Sequence, residues 1–418
     1  MSITRRKFLE KFRRAALGAA ALLIANNTSL VSLAHVSSPN SLDLGWNERV
    51  GELLLEEKSG DIVITAVGDM IWNRELTHFP EPEYFNLYRI LQEAEISYGN
   101  LEMSLNERPD LQRGLYNYRR GREFGWEIAK LGINLVSLAN NHALDYGTEG
   151  FKETLNILRR SGINYAGGGL TFSDARRHTS KTFGRTRFSF LSFYSSSHAS
   201  TSKNSPTIAT IRAKSVLIEK EHGNAEPVLA PLEEDVKAME DAITLAKIHS
   251  DLVLVHYHFH WVNHSRAYPI PNTVPPHQHP VIYRAINAGA DIIIGNGPHV
   301  LRGIEIYKGK PIFYSLGNFI YQYKTSEIPA VIWTRDQQQD IREEFETVVA
   351  RLVIRDKKIL KIELIPCTLE MTGPRTGCPK LADNVRAQEI IELMKNLSKR
   401  YKTAINFKDW YGIVEIND

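Results

Sequence analysis

Short apolar runs alternate with helical stretches along most of the chain. Five of these runs are rich in β-branched residues and end in glycine or polar residues, as the strands of an α/β sheet do. They cover residues 61–70, 95–104, 133–138, 251–257 and 291–294. After the third run, apolar positions recur at helical spacing as far as Gly162. The pattern predicts an α/β fold in which helices connect the central strands.

The C-terminal third of the chain has a hairpin pattern instead. Apolar runs flank Lys308-Gly309 and Asp356-Lys357, which are sequences typical of tight hairpin turns. A final helical pattern lies near residues 387–401. The pattern therefore predicts a linker, one domain and a C-terminal tail, at residues 35–60, 61–401 and 402–418.

Polar side chains follow the predicted strands at the points where the strands end. In open α/β sheets the carboxyl ends of the strands form the ligand-binding edge, so these residues are expected to share one site. They supply two carboxylates, one amide and three imidazoles, from Asp69, Glu102, Asn141, His142, His258 and His299. Imidazole binds Mn, Fe and Zn well, and the carboxylates would neutralise the charge of such an ion. The sequence therefore predicts a divalent metal site for one or two ions.

The fourth predicted strand places histidines at every second position, at His256, His258 and His260. Side chains two positions apart on a strand lie on one face about 7 Å apart, so three span roughly 13 Å. No more than two of them can therefore reach one ion at about 2.0–2.1 Å. The others are open to roles as a hydrogen-bond donor behind the ligands, a substrate contact or a polar strand end. The proline-rich loop at residues 263–280 is expected to cover the site.

The N-terminal 34 residues have the pattern of an export signal. A basic start precedes an apolar run of eleven residues and the small-residue segment Ser32-Leu33-Ala34. That run is too short for a bilayer, which needs about 20 residues. Arg5-Arg6 followed by Phe8-Leu9 resembles a twin-arginine signal, which predicts the twin-arginine translocase as a partner and a periplasmic or extracellular location. A general secretory signal or an uncleaved anchor is the alternative.

Composition limits the classes of partner. The 418 residues are 43% hydrophobic, which is enough for a substantial core. Residues 1–34 carry six basic residues and one acidic residue, so their removal changes the formal net charge from +3 to −2. This balance gives no support to a nucleic-acid partner. The two cysteines, Cys367 and Cys378, could form a disulfide contributing roughly 2–3 kcal/mol or remain as two buried thiols.

The motifs that carry these residues also resemble a known family. In chain order they are VGDM, GNLE, SLANNHALDYGTEGF and GADIIIGNGPHVLRGIEIYKGKPIFYSLGNF. They resemble the capsule-biosynthesis CapA family, also called the poly-γ-glutamate synthesis family, within the calcineurin-like metallophosphatase superfamily. The resemblance covers residues 61–401 and implies a four-layer α/β/β/α sandwich with mixed sheets. It also implies a metal site whose ligands are Asp69, Glu102, Asn141, His258 and His299, with His142 as the catalytic acid.

Two positions depart from the superfamily pattern. Ile71 stands where the first motif usually has a histidine, and Asn296 stands where the fifth motif commonly has one. An amide oxygen is a weaker ligand than imidazole for these metals. Asn296 is therefore a possible additional ligand, as are His256 and His260, and a second ion is expected to bind weakly.

Two functional hypotheses follow from the residues and the resemblance together. The first is an exported metal-dependent hydrolase or transferase acting on a phosphoester or on an anionic surface polymer such as poly-γ-glutamate. The second is a non-catalytic component that binds or tethers such a polymer in a capsule or export machine. A structural metal site without turnover is a smaller third possibility. Catalysis requires both the metal and His142, whereas tethering does not, so these two features separate the hypotheses.

Overall fold

The computed structural model describes residues 41–71, 73–76, 79–107, 119–196, 205–219, 225–259, 274, 278–322 and 342–416. Three predicted features lie wholly or mostly outside these ranges, namely the signal segment, His260 and the proline-rich loop. Gly45–Asp418 forms one compact unit.

Sheet I contains ten strands and includes the first three strands predicted from the sequence. Its order is β21 (Ile405–Lys408), β22 (Tyr411–Val414), β19 (Lys358–Leu369), β18 (Glu346–Arg355), β1 (Ile62–Ile71), β2 (Ile96–Leu101), β5 (Leu135–Ser137) and β6 (Asn164–Ala166). The two strands off this path are β17 (Asn318–Tyr321), which pairs with β1, and β20 (Pro379–Leu381), which pairs with β19. The run from β1 to β6 is parallel and β18 is antiparallel to β1, so the sheet is mixed.

Sheet II contains eight strands and includes the two later predicted strands. Its order is β12 (Ala225–Pro231), β11 (Thr210–Glu219), β9 (Thr186–Ser196), β13 (Leu252–His258), β14 (Ile292–Asn296), β16 (Lys310–Phe313) and β15 (Ile304–Tyr307), with β8 (Thr179–Phe183) beside β9. The strands from β9 to β16 are parallel. Two short pairs lie outside both sheets, β3 (Ser104–Leu105) with β4 (Arg119–Arg120) and β7 (Gly168–Gly169) with β10 (Thr207–Ile208).

The helices are mostly connections between parallel strands. They are α1 (Ser41–Leu55), α2 (Pro82–Glu93), α3 (Glu123–Lys130), α4 (Gly147–Arg160), α5 (Phe172–Ala175), α6 (Glu233–His249), α7 (His279–Asn287) and α8 (Asn384–Ser398), the last continued by a 3₁₀ turn, Lys399–Tyr401. Within the described ranges, no helix is both long and apolar enough to cross a membrane.

The two sheets pack face to face between outer helices. In β13, Leu252 and Leu254 belong to the cluster between the sheets, whereas Val253 and Val255 belong to the cluster under α6 and α7. This alternation is the two-residue period of a strand that is buried on both faces. On the other side, α2 and α4 cover the outer face of sheet I through residues such as Leu87. The predicted four-layer α/β/β/α architecture is confirmed.

Both predicted hairpin turns are present. Lys308 and Gly309 have φ values of 53° and 70°, and Asp356 and Lys357 have values of 50° and 66°. Two successive left-handed residues are the conformation that a two-residue type I′ turn requires. The turns join β15 to β16 and β18 to β19, so the sequence located both hairpins correctly.

The ordered fold extends beyond the predicted domain at both ends. Within the predicted linker, α1 buries Val50 and Leu53 completely or nearly so. Within the predicted tail, β21 and β22 form a hairpin that pairs with β19. Each of these two segments therefore contributes apolar side chains or backbone hydrogen bonds to the core.

The two cysteines are free, buried thiols. Burial raises the pKa of Cys367 well above its usual range and raises that of Cys378 to about 11. Of the two alternatives that the sequence left open, the structure has the unpaired thiols.

Candidate metal centre

The candidate centre lies between the sheets, where their inner faces change from apolar to polar. Along β13 the inner-face series of Leu252 and Leu254 continues with His256 and His258. Along β2 the same alternation leads from Tyr98 to Asn100. Since the parallel strands all end at this edge, the polar residues of both sheets meet there.

Asp69, Glu102 and His258 form the centre of this polar group. One ligand atom from each side chain lies within 4.8 Å of the others, and all three residues are fully buried. Neither carboxylate oxygen of Glu102 accepts a hydrogen bond from any described residue. Because a buried carboxylate without donors is strongly destabilised, this arrangement fits a bound cation. A carboxylate pair with an imidazole is a donor set that suits Mn, Fe or Zn.

The electrostatics of the two carboxylates support the same conclusion. Burial raises the pKa of Asp69, while the nearby His299 acts in the opposite direction. Burial, followed by the charge of Asp69, raises the pKa of Glu102 well above its usual range. Two adjacent buried carboxylates disfavour each other's ionised form, and a divalent cation between them would remove that penalty.

The other two predicted ligands border this group. The Nδ1 atom of His299 is 3.4 Å from Asp69 Oδ2, and its Nε2 atom is 3.8 Å from Glu102 Oε1. Asn141 Oδ1 is 2.8 Å from His258 Nε2. The structure thus brings all five predicted ligands into one contiguous group with the Asp-Glu-His cluster at its centre.

His142 and Asp145 form a partly exposed pair beside the buried ligands. His142 Nδ1 lies 2.8 Å from Asp145 Oδ2, and the two side chains are 12% and 19% exposed. The backbone N–H of His142 donates to Asn140 Oδ1. The charge of Asp145 contributes to the raised pKa of Glu102, so the pair acts electrostatically on the centre. A supported imidazole at this position has the geometry of a proton donor or acceptor.

His256 and Asn296 lie beside the cluster but not in it. His256 Nδ1 is 2.9 Å from Ser192 Oγ, and its ring centroid is 6.2 Å from that of His258. Burial lowers the pKa of His256 to about 3, and the side chain of Asn296 partly opposes this shift. Asn296 is fully buried at the end of β14.

Three asparagines that sequence reasoning did not single out contact the predicted ligands directly or through one another. Asn100 Nδ2 donates to Asp69 Oδ1 at 2.7 Å and lies 3.3 Å from His258 Nδ1. Asn140 donates to Asn100 Oδ1 at 3.0 Å. Asn318 accepts from His299. All three stand in the motifs quoted above, but an asparagine at a strand end is so often a turn former that position alone could not identify them.

Close backbone approach also shapes the centre. A side chain at Gly68 would place its Cβ atom 2.0 Å from the carbonyl oxygen of Gly317, because β1 and the start of β17 touch there. The N–H of Asp69 donates to that same oxygen at 3.0 Å. Gly297, with φ of 109°, directs its N–H to Asp69 Oδ2 at 3.2 Å. Glycine suits both positions, because Gly68 has no room for a Cβ atom and Gly297 has a positive φ.

The four-layer fold and this centre define an α/β/β/α protein with a candidate divalent-metal site between its sheets. Residues 63–323 match the family described as bacterial capsule synthesis protein PGA_cap. The chain belongs to that family, in agreement with the resemblance seen in its motifs.

Several relatives match over most of the chain. The uncharacterized protein y4sH of Sinorhizobium fredii is 27% identical over 84% of this chain and 93% of its own length. The capsule biosynthesis protein CapA of Bacillus anthracis is 26% identical over 77% of this chain and 71% of its own length. The PGA biosynthesis protein CapA of Bacillus subtilis is 27% identical over 66% of this chain and 60% of its own length.

Proposed function

We propose that this protein is a metal-dependent hydrolase or transferase that makes or processes an anionic surface polymer such as poly-γ-glutamate. The observation that carries the proposal is the buried Glu102 carboxylate, which accepts no hydrogen bond from any residue in the described part of the chain. It faces Asp69 and His258 and lies in a centre bordered by a partly exposed histidine. Relatives named for capsule and PGA biosynthesis support the polymer as the substrate class.

In this proposal the ion is held by Asp69, Glu102 and His258, with Asn141 and His299 as further ligands. A bound divalent ion would supply Lewis acidity, which polarises an acyl or phosphoryl oxygen and lowers the pKa of water. The protein's own contribution is to hold these ligands in place, mainly through the asparagine contacts described above. The buried edge between the sheets also keeps competing water away from the ligands.

His142 is the proposed proton donor to the leaving group. Asp145 faces its Nδ1 atom, which fixes the orientation of the ring. The Nε2 atom is then the one that transfers the proton. The backbone N–H of His142 donates to Asn140 Oδ1, which fixes the loop that carries both His142 and Asn141. The same loop therefore positions the proposed proton donor and a proposed ligand.

A polymer-length assay tests the function. Purified protein, stripped of metal by chelator and dialysed, is incubated with poly-γ-glutamate with or without added Mn²⁺ or Zn²⁺, and chain length is followed by gel filtration. We expect the polymer to shorten or be transferred to an added amine only with metal present. Polymer that binds to the loaded protein but keeps its length and ends would instead indicate the tethering role.

The proposed place of action is outside the cytoplasm, reached by the twin-arginine route. The support is the order of Arg5-Arg6 and Phe8-Leu9 in the sequence. Replacement of both arginines by lysine is expected to leave the precursor in the cytoplasm, because the translocase receptor reads the arginine pair. Fractionation followed by immunoblotting measures this. Normal export of the double-lysine protein would refute the route, and a variant with Lys7→Arg serves as the matched control.

A further inference from the structure

We propose that Asn318 is a positioning residue that fixes both the backbone and the ring tautomer of His299, so that the unprotonated Nε2 atom faces the metal centre. The inference rests on the proposed metal centre but not on the reaction or the polymer. Asn318 lies 19 positions after His299 in the chain and contacts its ring. It stands at the start of β17, which pairs with β1.

The orientation of the Asn318 amide is determined by its neighbours. Its Nδ2 group donates two hydrogen bonds, to the carbonyl oxygen of His299 at 3.1 Å and to that of Glu344 at 3.0 Å. Both acceptors are backbone carbonyls, which cannot donate, so the nitrogen must be on that side. The Oδ1 atom is therefore the one that lies 2.8 Å from His299 Nδ1.

This orientation sets the tautomer of the histidine. An amide oxygen can only accept, so His299 Nδ1 must carry the hydrogen. In the neutral ring the Nε2 atom then has a free lone pair, and that atom is 3.8 Å from Glu102 Oε1. A ring held in this way is ready to bind an ion without first rotating or exchanging a proton.

The backbone of His299 also needs support. Its φ is 60°, in the left-handed region that residues other than glycine rarely adopt. The bond from Asn318 to the His299 carbonyl stabilises this conformation directly. In addition, Asn318 is the residue paired with Asp69 across β17 and β1, so one strand pair aligns an acidic ligand with the residue that holds an imidazole ligand.

The test uses Asn318→Leu in the full chain, with Thr347→Val as the matched control. Leucine has a similar size and makes none of the three hydrogen bonds. Thr347 is also buried and donates to the carbonyl of Leu316, in the segment that precedes Asn318, but it makes no hydrogen bond to His299. Both variants therefore lose buried hydrogen bonds near β17, and only one changes the proposed contact.

Two measurements are made on each protein. Histidine ¹⁵N NMR of the metal-free protein, with the His299 signal assigned by its loss in His299→Gln, reports the tautomer. Competition with a chelator gives the affinity for Zn²⁺. For Asn318→Leu we expect the Nδ1–H tautomer signal to move toward a mixture and the affinity to fall about 10- to 100-fold. Thr347→Val should lower the thermal midpoint while leaving both readouts as in the wild type.

Wild-type tautomer and affinity in Asn318→Leu would overturn the proposal, as would equal losses in Thr347→Val. The tautomer is read without metal or substrate, so this result stands apart from the proposed function. If the wild-type protein shows the Nδ1–H tautomer and binds Zn²⁺ but leaves every polymer intact, the proposed function fails and this inference holds.

Discussion

Glu102→Gln is expected to abolish tight binding of a divalent ion while making the metal-free protein more stable. The wild-type carboxylate is fully buried and lies against Asp69, and burial with this neighbouring charge raises its pKa. Glutamine has the same shape and removes the charge, so the repulsion disappears together with the ligand. These two opposite effects distinguish a metal ligand from a residue with a merely structural role.

Thermal unfolding with and without metal measures both effects. With free ion at about 100 times its Kd, the wild-type protein should gain about 2.7 kcal/mol, and Glu102→Gln should gain none. Asp291→Asn is the matched control, because Asp291 is a buried carboxylate paired with Lys247 and Lys310 at the start of β14. That variant should lose stability and keep the metal-dependent gain. An unchanged gain in Glu102→Gln would exclude the site.

The dependence of stability on pH follows from the same pKa shifts. Both Asp69 and Glu102 have folded-state pKa values raised above the unfolded values of 3.8 and 4.5. The metal-free folded state therefore binds more protons than the unfolded state, and its stability falls as the pH rises from those unfolded values through the raised folded ones. In Glu102→Gln this fall should be smaller.

His142→Ala is expected to lower turnover by about 10²–10⁴ while leaving metal content at the wild-type level. His142 bonds to Asp145 and is partly exposed, whereas the Asp-Glu-His cluster is fully buried. Its loss therefore removes a proton donor without removing a ligand of that cluster. Metal content by elemental analysis and the polymer-length assay measure the two effects separately.

His249→Ala provides the comparison for that experiment, because His249 is an exposed histidine on α6 and should affect neither quantity. Asp145→Asn should give an intermediate rate, since the ring remains but loses its charged partner. Loss of metal together with rate in His142→Ala would make His142 a ligand. Turnover equal to the wild type would remove it from the mechanism.

The residues at the strand ends were predictable because the alternation of side chains along a strand depends only on local backbone geometry. The two-residue period of β13 places His256 and His258 on the face of Leu252 and Leu254, and the sequence alone gives that alternation. The sequence does not show how far each ring is from the opposite sheet. His256 bonds to Ser192 in the neighbouring strand, and so it lies beside the cluster that contains His258.

Features that depend on contacts between distant segments were not predictable. Asn318 lies on a four-residue strand, and its role arises only because that strand pairs with β1. Helix α1 was missed because its apolar positions do not form a clear helical stripe in the sequence, and only the structure shows that Val50 and Leu53 are buried in the core. In β21, three of the four side chains are exposed, so the pattern that would reveal a strand is absent.

The centre takes its residues from both sheets, with Asp69 and Glu102 from sheet I and His258 and His299 from sheet II. An ion held by both pairs would act as a crosslink between the two sheets at this edge, in addition to hydrogen bonds such as that from the Gly297 N–H to Asp69 Oδ2. It would join side chains that lie from 156 residues apart (Glu102 and His258) to 230 residues apart (Asp69 and His299) in the chain, so it would close long loops. Removal of the ion is therefore expected to weaken the packing of sheet I against sheet II at this edge, while the hydrogen bonds within each sheet remain.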